Sequence, residues 1–317
     1  MNKTSTAPAT RGANGTYDVR RKESFLDRIA DPAFNVITIG ILLLAVVAII
    51  YPLYFIVIAS FSDPNLIQQG RVWLLPQGFT MEGYQALLSD PSLLRGFGNS
   101  VLYTGVGTLV SVAIILMTGY ALSRQDMPGR KFFMILFIIT MFFDGGMIAR
   151  YLVVRDLGLL NTMWAVILPG AVGVWNLIIA RTFFEQNVPG ELREAAQLDG
   201  ANDFQFFFRM ALPLTKPLIA LMAMTHIVAY WNSYFDAMIY LNDETLYPLQ
   251  LVLRNVLIQS QAAAGMDTGS IDSYAAAQRL GELIKYGMIV ITTVPLLIIF
   301  PFLQKYFVKG ATLGALK

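Results

Sequence analysis

The chain has 317 residues, 56% of them hydrophobic and 14% charged, with a formal net charge of +2 and a mean hydropathy of +0.56. So much apolar surface excludes a water-soluble globule, and the small, dispersed positive charge excludes a nucleic-acid-binding face. There is no cysteine, hence no disulfide, thiolate metal site or cysteine nucleophile.

The class is an integral membrane protein. Residues 1–33 form a polar tail, rich in Ser, Thr, Gly and Asn and then basic at Arg20-Arg21-Lys22 and Arg28, with too little apolar surface to order itself. The apolar run at 34–60 starts too late and is too long for a secretory signal. Its uncharged length of about 27 residues suffices to cross a hydrocarbon core of about 30 Å, which makes it the first span. Residues 61–95, with Asp63-Pro64, Trp73, Pro76 and Tyr84, read as an extracytoplasmic loop. A second span at 96–123 carries Gly98, Gly105, Gly107 and Gly119, small residues that let helices approach closely in lipid. The third, at 132–149, is broken near Asp144-Gly145-Gly146, and the fourth, at 159–180, is interrupted by Pro169-Gly170.

A charged island at 181–216 precedes the fifth span, 217–235; the sixth is 286–304, and 305–317 is a short tail. Sixteen of the 23 Lys and Arg residues lie on the side of these six spans that holds both termini and the island, which makes that side cytoplasmic. Between the last two spans, Leu249, Val252, Leu253, Val256 and Leu257 recur at helical spacing, predicting an amphipathic helix at the outer interface. Residues 261–278, rich in Ala, Gly, Ser and Asp, read as a loop. No internal repeat stands out.

Within the island, Pro189-Gly190 punctuates the link after the fourth span, and Glu191 near a helix start complements the helix dipole. Gly200, after Asp199, supplies a left-handed C-cap. Asn202 or Asp203 then caps a second short helix bearing Phe204, Phe206, Phe207 and Phe208. Two helices at an angle make a rigid protrusion with Ala195 and Ala196 exposed for close docking. Residue types alone fit a plain connecting loop as well.

The order of residues is more specific. Glu194-Ala195-Ala196, Gly200 four residues after the second Ala, and Leu212-Pro213 at the end resemble the EAA loop of ABC importer permeases, with Met210 where that family usually has Ile. The segments 230–235 (Tyr-Trp-Asn-Ser-Tyr-Phe), 247–251 (Tyr-Pro-Leu-Gln-Leu) and 304–310 (Gln-Lys-Tyr-Phe-Val-Lys-Gly) look like the carbohydrate importers related to the maltose permeases. Phe143-Asp144-Gly145-Gly146 and Ile284-Lys285-Tyr286 resemble the branch linked to oligosaccharides and polysaccharide fragments, with Asp144 where a small polar residue is usual.

The resemblance implies an all-α, six-helix type I permease fold, its core at 96–304, with a cytoplasmic coupling helix near 190–209. Partners implied are a second permease, two ABC ATPase subunits and an extracytoplasmic sugar-binding protein, in a bacterial-type cell membrane. No GxxxxGK[ST] phosphate loop occurs in the chain, so no cofactor is expected on it and Mg-ATP belongs to the partner subunits. Glu194, Ala195, Ala196, Asp199 and Gly200 are the candidate ATPase-coupling residues, and the tail beyond Phe307 is expected to reach the ATPase pair.

A sugar path needs aromatic platforms beside amide or carboxylate partners. Tyr230, Trp231, Asn232, Tyr234 and Asp236, at the outer end of the fifth span, supply that mixture; an interfacial aromatic belt is the competing reading. Asp144, a carboxylate at a span end, either lines the path near Arg150 or simply reaches the interface. His226, the only histidine, lies in the fifth span without a second ionisable residue, which favours a hydrogen-bonded packing role over proton coupling. Two other function classes use the same residues. A secondary transporter would need embedded ion-coupling groups and repeated halves, and a membrane enzyme would need Asp144, Asp236 and His226 clustered.

Overall fold

The computed structural model describes residues 25–265 and 271–314, with side chains for 34–259, 279–302 and 304. Among these the chain is helical, without a strand. It divides into two units, residues 1–55 and 56–317. The described part of the first unit is the helix α1, Phe25–Ser60, whose last turns belong to the second. This helix starts ahead of the apolar run at 34, inside the polar tail.

The loop expected at 61–95 contains two short helices, α2 (Pro64–Gln68) and α3 (Glu82–Ser89). Asp-Pro pairs start α2 and the long α4, Pro91–Ser123, in the same way. Asp63 accepts from the Asn65 amide (2.9 Å) and Asp90 from that of Ser92 (2.8 Å), with proline in the first turn, where its missing N–H costs nothing.

Helix α4 is the central post. It packs on α8 (Val174–Asn187), α12 (Lys216–Trp231) and α14 (Leu249–Gly265). Glycines make two of these contacts possible: a Cβ on Gly119 would lie 2.8 Å from the Ala180 Cβ, and one on Gly107 would lie 2.8 Å from the Tyr230 ring. Gly98 and Gly105 meet nothing within 4 Å, so only part of the glycine pattern serves packing within the chain.

Among the described residues three helices are long and apolar enough to span singly: Phe34–Ser60, Pro91–Ser123 and Arg279–Phe302. The last lies within α15, Ile271–Gly314. Three bent pairs qualify together, making six spans if each pair crosses once. The third expected span is one of these pairs and is not a single rod. Helices α5 (Arg130–Phe142) and α6 (Gly146–Asp156) meet at 120°, because Gly146 takes φ +80° and the Asp144 carboxylate accepts its amide at 3.0 Å. The fourth pairs α7 (Met163–Ile167) and the 3-10 turn Leu168–Gly170 with α8 at 56°, the break falling at 171–173, just past the expected Pro169-Gly170.

The fifth span corrects the sequence boundary, since α12 ends at Trp231 and a separate helix, α13, covers Phe235–Tyr240. The stripe starting at Leu249 is buried against α4 and α15, and not laid out at an interface: Leu249, Val252 and Leu253 are all buried. Of the loop expected at 261–278, residues 261–265 end α14 and 271–278 begin α15, while 266–270 lie outside the described residues. So do most of the N-terminal tail, 1–24, and the last three residues; the C-terminal tail is helical to Gly314.

Candidate functional site

The charged island folds into α9, Gly190–Leu198, then α10, Asp203–Phe206, a π-helical turn, Phe207–Ala211, and α11, Leu212–Leu214. Glu191 sits in the first turn of α9 as expected. The helix closes in a Schellman arrangement. The Gly200 amide donates to the Gln197 carbonyl (3.0 Å) and the Ala201 amide to that of Ala196 (2.9 Å), with Gly200 at φ +81°. Asn202 caps α10 in a full capping box: its carboxamide accepts from the Gln205 amide (2.8 Å), and Gln205 accepts from the Asn202 amide (3.1 Å).

A layer of apolar side chains anchors this pair of helices. Tyr120 of α4 packs against Phe184 of α8 (ring centroids 5.5 Å apart) and against Phe207 (5.0 Å), with Phe206 buried beside them. Leu192 and Ala196 of α9 join the same cluster. Ala196 is 2% exposed, which corrects the expectation that both alanines are free to dock. Residues 192 and 196 lie on one face, so Ala195 falls on the open side with Glu194, Asp199 and Gly200. Leu198, 89% exposed, shares that side. The sequence reading missed it, although its place off the 192/196 stripe was available as a signal. Phe204 and Phe208 are exposed where Phe206 and Phe207 are buried, so the four phenylalanines do not act as one cluster.

Beside α9 lies a cleft of about 920 Å³, bordered by Glu191, Glu194 and Gln197 from α9 and by Arg124, Arg130 and Arg181 opposite. Two ionic clusters frame it. Arg130 and Arg181 share Glu185. In the other, Arg124 and Arg193 each reach both Asp126 and Asp203. Arg124 donates two bonds to Asp126 (3.0 and 2.7 Å) and one to Asp203 (2.9 Å), and Arg193 donates to Asp126 (3.0 Å) and Asp203 (3.3 Å). The hydrogen bonds from Arg124, reinforced by Arg193, hold both carboxyls below the usual aspartate range. Sequence reasoning passed over this cluster because its members come from separated stretches. Among the described residues Glu191 and Glu194 form no ion pair and stay exposed.

At the far end of α12 the six candidate path residues do not share one surface. Tyr230 and Trp231 are buried, and their polar atoms are used inside the chain. The Tyr230 hydroxyl donates to the Ile167 carbonyl (3.0 Å) and bonds the Ser111 hydroxyl (2.8 Å); the Trp231 indole donates to the Thr292 carbonyl (2.9 Å) and meets Phe97 edge-on. Asn232 is exposed, its amide donating to the Val228 carbonyl at 2.9 Å. Tyr234 is exposed under the Arg254 guanidinium, 5.9 Å from the ring centre. Asp236 is half-buried, and the Arg150 charge reaches it. Asp144 pairs with Arg150 at 2.9 Å. His226 is buried with Nδ1 2.8 Å from the Met222 carbonyl, a bond that places the ring proton on Nδ1 and fits the packing role. Among the described residues no three His, Asp or Glu side chains converge as a metal site.

Residues 131–313 match the family described as binding-protein-dependent transport system inner membrane component. The chain is 38% identical to the polygalacturonan/rhamnogalacturonan transport system permease protein YtcP of Bacillus subtilis (strain 168), over 90% of this chain and 98% of that one. It is 42% identical to Protein LplC of the same organism, over 84% and 89% of the two chains. Among solved structures, it is similar to a chain of a bacterial ABC transporter involved in the import of the acidic polysaccharide alginate, with 31% identity, a TM-score of 0.77 and coverage of 88% and 98%. The chain belongs to the binding-protein-dependent transport system inner membrane components and is the permease subunit of an ABC importer, a transport subunit and not an enzyme.

Proposed function

We propose that this chain imports an oligosaccharide together with a second permease, two ATPase subunits that bind Mg-ATP and an extracytoplasmic sugar-binding protein. Both termini and α9 face the cytoplasm, as the Lys and Arg asymmetry requires, and 96–304 is the working core. The substrate class is supported by the carbohydrate names of the relatives, and the sidedness by the loop charges.

The observation that carries the coupling role is the two-faced construction of α9. Its inner face, Leu192 and Ala196, is sunk into the chain's own apolar layer, while Glu194, Ala195, Leu198 and Asp199 project outward with no partner of their own among the described residues. A helix held this firmly on one side transmits a push received on the other. In this reading Glu194, Ala195 and Leu198 enter the ATPase cleft. Ala196 and Gly200 shape and seat the helix, and Asp199 closes it.

For the sugar path, Asn232, Tyr234, Asp236 and Asp144 supply amide, ring and carboxylate partners near the outer mouth, and Tyr230 and Trp231 form the packed wall behind them. Arg150 holds the Asp144 carboxylate in place. The experiment is co-expression with the companion subunits of Glu194→Ala, Leu198→Ala and Asn232→Ala variants. The first two are expected to lose ATPase-subunit co-purification and uptake together. Asn232→Ala keeps assembly and loses substrate-stimulated ATP hydrolysis. Normal assembly and uptake in Glu194→Ala and Leu198→Ala would end the coupling assignment.

A further inference from the structure

The ring formed by Arg124, Asp126, Arg193 and Asp203 ties three parts of the chain that are distant in sequence. Arg124 is the C-terminal cap of α4, Asp126 lies in the link to α5, Arg193 is on α9 and Asp203 begins α10. The Arg193–Asp126 bond spans 67 residues. Charges alternate around the ring, and each arginine donates to both aspartates. Both guanidiniums are about a fifth exposed and the carboxylates about half. A shared network with planar arginine forks is the kind of ion pairing that holds geometry, unlike an isolated surface pair. The helix ends agree with it: a cation sits at the C-terminus of α4 and an anion at the N-terminus of α10.

The ring does what the apolar layer beneath α9 cannot. Packing of Leu192 and Ala196 against Tyr120 and Phe206 holds the helix down, but hydrophobic contact has no direction and lets the helix roll or slide. Directed hydrogen bonds from Arg193 to two carboxylates fix its rotation and register. Among the described residues the ring makes no ion pair with the exposed Glu191 and Glu194, which border the same cleft, so docking charges and bracing charges are separate residues of the same helix.

We propose that this ring is a strut that stays closed through the import cycle and carries movement of α9 directly into α4, which makes Arg124, Asp126, Arg193 and Asp203 positioning residues for transport. The proposal rests on α9 being the ATPase-docking helix. Without the ring, an ATPase subunit still binds α9, but its stroke is lost in rotation of α9 on the apolar layer.

The test uses the complete importer reconstituted with its ATPase and binding-protein partners. In Arg193→Gln and Asp126→Asn the ATPase subunits are expected to co-purify normally. ATP consumed per solute imported rises at least about fivefold, the lower end of coupling between linked sites, and Arg193→Lys recovers part of the loss. Unchanged ATP per solute in assembled Arg193→Gln and Asp126→Asn complexes would overturn the strut. Failure of the docking reading looks different, because Glu194→Ala would then leave subunit retention and uptake intact.

A second measurement leaves the ring untouched and so does not depend on the variants folding. The chain has no native cysteine, so spin labels placed at Gln125→Cys and Gln197→Cys report the separation of the α4–α5 link from α9. The distance is expected to be the same without nucleotide and with ATP trapped. A change approaching one helical turn, about 5 Å, would show that the ring opens and would sink the proposal.

Discussion

Gly119→Ala adds one methyl group at the tightest crossing of α4 with α8. The new Cβ would lie 2.8 Å from the Ala180 Cβ, 3.2 Å from the Arg181 amide nitrogen and 3.3 Å from the Ala180 carbonyl carbon. Carbon pairs pack best at about 3.5–4.0 Å. Two of the three obstacles are backbone, so no side chain can swing aside and the helices must part. Overpacking of this kind costs about 1–3 kcal/mol, against a gain of about 0.5–1 kcal/mol from replacing glycine inside a helix. Gly98→Ala, in the same helix with nothing within 4 Å, keeps the gain without the clash. The pair is therefore expected to differ by about 1–3 kcal/mol, with Gly119→Ala the less stable. Thermal loss of the monodisperse gel-filtration peak of the detergent-solubilised importer measures the difference. Because Gly119 adjoins Tyr120, which keys the layer under α9, Gly119→Ala also lowers uptake. Equal melting of the two variants would refute the close-packing argument.

Tyr230→Phe keeps the ring against Gly107 but strips the hydroxyl from the Ile167 carbonyl and Ser111; the same melting assay should register a loss of about 1–3 kcal/mol, the cost of buried partners left unpaired. Gly200→Ala meets no steric obstacle, so its cost is that of φ +81° alone, about 1–2 kcal/mol. Gly200→Asn, which tolerates left-handed backbone better, should retain more ATPase co-purification than Gly200→Ala. The Asp126 and Asp203 carboxyls, held low by Arg124 and Arg193 and adjoining Tyr120, contribute stability that is complete above the unfolded aspartate pKa of about 3.9 and is lost only as pH falls through their lower folded values. The melting difference between the natural chain and an Asp126→Asn/Asp203→Asn variant should stay level from about pH 8 to pH 5 and shrink below about pH 4; shrinkage within the neutral range would contradict that assignment.

Several features of the fold are local and were readable from residues alone. The apolar runs at 34–60 and 96–123 set the membrane class, because a span is a property of contiguous length and hydropathy. Pro169-Gly170 and Asp144-Gly145-Gly146 marked the neighbourhood of the breaks, and Gly200 marked the end of α9 and Asn202 or Asp203 the start of α10, because φ limits and capping bonds involve neighbours in sequence. The stripe from Leu249 to Leu257 marked a helix in the same way, although its place against α4 and α15, and not at the outer interface, came from packing.

What tertiary structure decided is which surface each of those helices keeps for itself. The residue order placed a docking helix at α9 without saying that Ala196 turns inward and Leu198 outward, since that depends on where Tyr120 and Phe184 stand. The aromatic group at 230–235 divided for the same reason. Ser111, Ile167 and Thr292 claim the polar atoms of Tyr230 and Trp231 and leave Asn232 and Tyr234 to face outward. Charge partners are equally non-local: Arg193 and Asp126 are 67 residues apart, and nothing in either stretch names the other. Sequence fixed composition, spans and caps through neighbours along the chain, whereas packing across α4, α8 and α9 chose which residues brace the permease and which remain free to meet its partners.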